Sequence, residues 1–131
     1  MAMQFRTVQL GTPRHADEGL RLGTVRFLPR GVKKSDYAKL NYFDIWLPQL
    51  APSASLIQGL KSGKLPFATF SKRYRKELQA TDARQLVQLL ASMAQHTPLS
   101  VGCYCEDESQ CHRSVLGDVI RKASGASVNS E

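Results

Sequence analysis

Three helical patterns in a row separate one strand-like run from the next, and that spacing constrains the fold more than any other feature of the chain. Residues 5–10 (FRTVQL) alternate apolar and polar side chains, as a half-buried strand does, and Gly11-Thr12-Pro13 closes the run. Residues 22–28 (LGTVRFL) read as a second strand, stopped by the turn signal Pro29-Arg30-Gly31. The next β-like run is residues 99–105 (LSVGCYC). Between them, Ser53 is placed to cap a helix with Leu56, Ile57 and Leu60 on one face, ended by Gly63. Phe67, Phe70, Tyr74 and Leu78 then recur at helical spacing, with Lys72, Arg73, Arg75 and Lys76 mostly off the stripe. Thr81 caps a third helix that turns Leu86, Leu89, Leu90 and Met93 inward. A last helix starts near Cys111, with Val115, Leu116, Val119 and Ile120 as its apolar face.

Strands separated by helices pair in parallel through crossovers. We therefore expect an α/β fold: one three-layer domain over residues 1–123, with a mainly parallel sheet and flanking helices. Residues 124–131 read as a frayed tail. Ser35 caps a short helical stretch through Leu40, and residues 41–51 read as an irregular aromatic loop that packs Trp46.

A chain of 131 residues can bury a proper core. Apolar content of 42% and charged content of 22% argue against wholesale disorder. No apolar run approaches the roughly 18 residues of a membrane span. The first residues, MAMQFRTVQLGTP, lack the apolar core of about 7–15 residues that marks a secretory signal. A cytoplasmic protein without a membrane partner is the expectation. The net charge of +7 favours anionic partners, a phosphorylated small molecule or nucleic acid. Oligomeric state leaves no mark in the sequence.

All three cysteines, Cys103, Cys105 and Cys111, fall within nine residues, and His112-Arg113 follows at once. They are too close in sequence to staple a fold, so the cluster reads as reactive, ligating or packed. Cys103, inside the strand, reads as a small core residue. The segment from Cys105 to Arg113 is a strand-to-helix junction, where open α/β sheets hold ligands. A helix N-terminus attracts anions and lowers the pKa of a nearby thiol. Arg113 adds a planar fork suited to phosphate or carboxylate. Cys105 or Cys111 is then the candidate nucleophile or redox thiol, with His112 or Glu106 moving the proton. Glu106, Asp107 and Glu108 read otherwise as a solvated loop. If the second strand runs parallel beside residues 99–105, Arg26 and Arg30 reach the same rim. Zinc is disfavoured, because C-x-C chelates poorly and no second cluster exists. We expect neither metal nor cofactor.

Four stretches carry a resemblance: VRFLPRG (25–31), DIWLPQLAPS (44–53), FSKRYRKEL (70–78) and CYCEDESQCHRS (103–114). They resemble the YeaO-like branch of the family called domain of unknown function 488, and the last resembles the C-E-x5-C-H-R signature of the wider family. The matching positions are Arg26, Pro29, Arg30, Trp46, Tyr74, Cys105, Glu106, Cys111, His112 and Arg113. The resemblance implies a compact α/β fold of unassigned activity. Residues and resemblance together give a thiol-dependent enzyme on a phosphorylated or nucleotide-like substrate. The alternative is a nucleic-acid or nucleotide binding module that uses the basic face between Lys61 and Lys76.

Overall fold

The computed structural model describes residues 4–107 and 110–129. Four parallel strands form one sheet in the order β1-β4-β2-β3: β1 (Phe5–Gln9), β2 (Leu20–Gly23), β3 (Ile45–Trp46) and β4 (Leu99–Cys103). β4 lies between β1 and β2, with Val101 opposite both Thr7 and Leu22. All five of its residues are buried, as expected of a strand paired on both sides and covered on both faces.

The helices are α1 (Ala54–Lys61), α2 (Phe67–Glu77), α3 (Thr81–Met93) and α4 (His112–Asn129). α4 packs on β1 and β4, and α2 and α3 pack on α4. Their common core holds Leu22, Leu99 and Val101 from the sheet with Phe70, Tyr74, Leu90, Leu116 and Ile120 from the helices. Successive strand residues face opposite ways. Val8, on the other face, belongs to a second cluster toward the carboxyl ends of the strands, with Leu10, Val25, Phe43, Cys103 and Cys111 and with Tyr37 and Tyr42 packed against them. Helices cover one face and the segment between β2 and β3 covers the other. The sequence expectation of a single α/β domain with a parallel sheet holds.

Several boundaries differ from the sequence reading. β2 ends at Gly23, not Leu28, because its partner β4 ends at Cys103; Thr24 still donates its N–H to the Gly102 carbonyl at 3.2 Å, and the chain then turns inward at Val25. Residues 41–51 are not wholly irregular. They contain the edge strand β3 and a 3-10 turn, Pro48–Leu50. Trp46 is 38% exposed and pins this edge by donating its indole N–H to the Val25 carbonyl at 2.7 Å. The short helical stretch from Ser35 is a 3-10 turn, Lys34–Asp36. Ala80, not Thr81, stands at the N-cap of α3. Leu89 is 53% exposed, because α3 buries Ala83, Val87, Leu90 and Ala91 in place of the larger stripe. α4 runs on to Asn129 through the residues read as a tail, and residues 130–131 lie outside the described residues.

Close approach fixes glycine at two sheet positions near the carboxyl ends of the strands. A Cβ on Gly23 would sit 2.3 Å from the Phe43 ring, and one on Gly102 would sit 2.6 Å from Leu10 and 2.9 Å from the Val8 carbonyl.

Candidate functional site

The last residue of β4 is Cys103, and α4 begins at His112, so eight residues carry the chain out and back. That return brings Cys111 against Cys103, with the two sulfurs in contact and placed to pair as a disulfide. Cys103 is a buried core residue, as its place in the strand suggests, and its sulfur also meets Cys111, a contact that the sequence reading did not anticipate. The chain leaves and returns at the carboxyl end of β4, so Cys103 and Cys111 meet although eight positions separate them. Both cysteines are buried, whereas Cys105 is exposed with a free thiol.

His112 is buried at the first turn of α4. Its Nε2 lies 2.7 Å from the Thr24 carbonyl. A carbonyl only accepts, so Nε2 carries the proton and Nδ1 keeps the lone pair. Burial pushes the imidazole pKa down to about 4, against the pull of that hydrogen bond and with the help of the neighbouring Arg113 charge. The ring is neutral at physiological pH. Tyr74, fully buried in α2, meets it edge-on at 5.8 Å between centroids.

Arg113 turns inward. Its Nη1 donates to the Cys105 carbonyl and, at 3.3 Å, to Cys103 Sγ; Nη2 donates to the Glu106 carbonyl at 3.4 Å. Its Nε has no partner. Arg113 thus holds the loop of the cysteine cluster and presents no free fork to solvent.

A cleft of about 290 Å³ opens over this junction. Cys103, Cys105 and His112 line it together with Arg26, Lys61, Phe27 and Tyr104. An adjoining groove of about 500 Å³ shares Phe27, Lys61 and Tyr104 and adds Arg30 and Tyr42. Tyr104 ties the two sides by donating its hydroxyl to the Phe27 carbonyl at 2.9 Å, and burial raises its pKa to about 12.

Of the residues singled out in the sequence, Arg26, Cys105 and His112 meet in the cleft. Arg30 lines only the adjoining groove. Glu106 is exposed and does not line the cleft, and Cys111 lies beneath it, bonded to Cys103. Arg26 donates to the carbonyls of Ala51 and Pro52 at 3.1 and 3.2 Å, which orients it. Asp44 pairs with Arg14 at 2.8 Å and not with Arg26. Glu108 lies outside the described residues. Sequence reasoning missed Lys61, Phe27 and Tyr104 as cleft residues and Thr24 as the acceptor for His112. The Tyr between two cysteines was the available signal for Tyr104; nothing local marks Lys61.

Cys103, Cys111 and His112 also bring three potential ligand atoms within 4.8 Å of one another. They do not fit a divalent ion well. The sulfurs are paired with each other and the Arg113 guanidinium lies on Cys103, which oppose a cation there, although His112 keeps a lone pair at Nδ1.

Residues 5–124 match the family model DUF488-N3a, described as the active DUF488-N3 subclade. An uncharacterised protein of Escherichia coli K12, YeaO, is 29% identical over 119 residues, covering 91% of this chain and 98% of that protein. No solved structure matches. The chain belongs to the domain of unknown function 488 family, in the DUF488-N3a subclade.

Proposed function

We propose that this member of the 488 family is a thiol-dependent enzyme that takes a phosphorylated, nucleotide-like small molecule in the cleft beside Cys105. One observation carries the reading: a single cleft holds a free thiol, two cations and two aromatic rings. Arg26 and Lys61 supply charge for a phosphate, and Phe27 and Tyr104 supply faces for a base. Cys105 is the thiol that can react, since Cys111 is buried and paired. Neutral His112 offers an acceptor at Nδ1. Glu106, exposed and next in sequence to Cys105, is the proposed acceptor of the thiol proton once it swings toward the cleft.

The test is protection of Cys105. Adenosine monophosphate at millimolar concentration is expected to slow iodoacetamide alkylation of Cys105 several-fold, and Arg26→Ala or Lys61→Ala is expected to abolish that protection. Equal alkylation rates with and without the nucleotide would overturn the reading. The exposed Lys72, Arg73 and Lys76 on α2 support the alternative of a nucleic-acid module. It requires oligonucleotide affinity that falls steeply with salt and survives Cys105→Ser.

A further inference from the structure

Among the described residues, Arg113 is a buried cation without a buried anion. It is 5% exposed, and among the described residues no carboxylate lies within 4.0 Å of its guanidinium. Its partners are two backbone carbonyls and a sulfur, and its Nε is orphaned. Carbonyls satisfy donors but carry no net charge. A guanidinium does not shed its proton to escape burial. The group in contact with it that can become an anion is Cys103, whose Sγ lies 3.3 Å from Nη1.

In the disulfide form, that sulfur is neutral and the guanidinium stays unpaired. In the dithiol form, a Cys103 thiolate supplies the missing charge. The guanidinium therefore interacts more favourably with the reduced pair than with the oxidised pair. Whatever stabilises the reduced form makes a disulfide a stronger acceptor of electrons. Neutral His112 adds no competing cation. Cys103 is also the member of the pair that lines the cleft.

We propose that Cys103 and Cys111 form a thiol–disulfide exchange centre, reached through the Cys105 cleft by a low-molecular-weight thiol, and that Arg113 is the counter-ion of the Cys103 thiolate in the reduced state. The proposal rests on the reading of this cleft as a place of thiol chemistry. A small-molecule thiolate attacks Cys103 Sγ; the Cys103–Cys111 bond breaks, and its electron pair leaves on Cys111, which takes up a proton. A second thiolate attacks the incoming sulfur of the mixed disulfide, and the electron pair leaves on Cys103, where Arg113 holds it. Two small thiols are oxidised to one disulfide, and the protein disulfide is reduced to a thiol and a thiolate.

The experiment is equilibration of the full chain in buffers of reduced and oxidised glutathione, with alkylation and mass spectrometry to count the pair in each state. Wild type is expected to be reduced readily by glutathione. Arg113→Gln is expected to shift the exchange equilibrium at least tenfold toward the disulfide, about 30 mV for two electrons, and Arg113→Lys to recover part of that shift. An Arg113→Gln equilibrium within twofold of wild type would overturn the proposal. Should the variants fail to fold, the wild type decides alone: reduced protein must absorb near 240 nm as a thiolate at neutral pH, and its absence overturns the proposal. So does a bound metal that protects both thiols until a chelator removes it. No phosphorylated ligand is present, so the outcome is independent of whether adenosine monophosphate protects Cys105.

Discussion

Two arginines lie buried in this protein, and they are buried in opposite ways. Arg21, in β2, is 0% exposed and meets Glu18, itself 1% exposed. Its Nη2 donates to Glu18 Oε2 at 2.9 Å, and its Nη1 donates to the carbonyls of Thr12 and Asn41 at 2.9 and 2.6 Å. Ser100 and the His15 N–H satisfy the remaining carboxylate positions at 3.0 and 3.1 Å. Burial alone would raise the Glu18 pKa; the hydrogen bonds from Arg21 and His15 and the Arg21 charge outweigh it and bring the carboxyl down to about 2. Every group there has its partner, and the network closes the loop between β1 and β2 onto the sheet. Arg113, at the other end of the same strands, has no carboxylate among the described residues, one orphaned nitrogen and a sulfur for a neighbour. A complete network is what structure requires. An incomplete one beside a cleft leaves a charge for something else to answer.

The comparison can be broken at several strengths. Arg21→Met leaves Glu18 buried without a cation and is expected to lose roughly 3–5 kcal/mol, read by urea denaturation; a loss under about 1 kcal/mol would put Arg21 in the same class as Arg113. Acid comes next. The Glu18 carboxyl is held at about 2 against an ordinary 4.5, so its contribution is full above pH 4.5 and is lost as pH falls toward 2. His112 is held at about 4 against 6.5; the folded state resists its protonation, so stability is full above pH 6.5 and declines as pH falls toward 4. Each contributes on the order of 3 kcal/mol. His112→Gln, whose amide can still donate to Thr24, is expected to flatten the stability curve between pH 6.5 and 4 and leave the lower limb intact. Unchanged curvature in that window would show that His112 is not the group titrating. The smallest effect belongs to Arg113→Met in the oxidised protein. It forfeits hydrogen bonds to the Cys105 and Glu106 carbonyls and is expected to lose about 1 kcal/mol, far less than Arg21→Met. An equal loss would mean that Arg113 is as structural as its counterpart.

The difference between these two regions was only partly legible in the sequence. The Cys-His-Arg end stood out because rare residue types crowd together there, and the α4 apolar stripe placed a helix behind them. The Glu18–Arg21 pair escaped notice, since single charges in a polar loop and an ordinary strand read as solvent-facing. Nothing local says that Ser100, about 80 positions away, accepts them into a buried network. Cys103 was underread for a similar reason. Its alternation in β4 marks it as buried, which is correct, but its bond to Cys111 depends on how the intervening loop returns.

The helices were legible because period-3.6 stripes are local: α1, α2 and α3 lie where Leu56, Phe70, Tyr74 and Leu90 recur. Leu89 was misassigned because α3 presents alanines where α4 crosses closely, and small residues leave no hydrophobic stripe to read. The length of β2 was not legible, because a strand ends where its neighbour ends.

The sequence by itself determined the α/β class, the parallel pairing, the helical stripes and the place where the chemistry concentrates, since each rests on periodicity or composition within a dozen residues. Tertiary structure alone decided which arginine is neutralised, which cysteines meet and which face a cleft, because charge pairing and sulfur contact depend on distances between segments that the chain brings together only when folded.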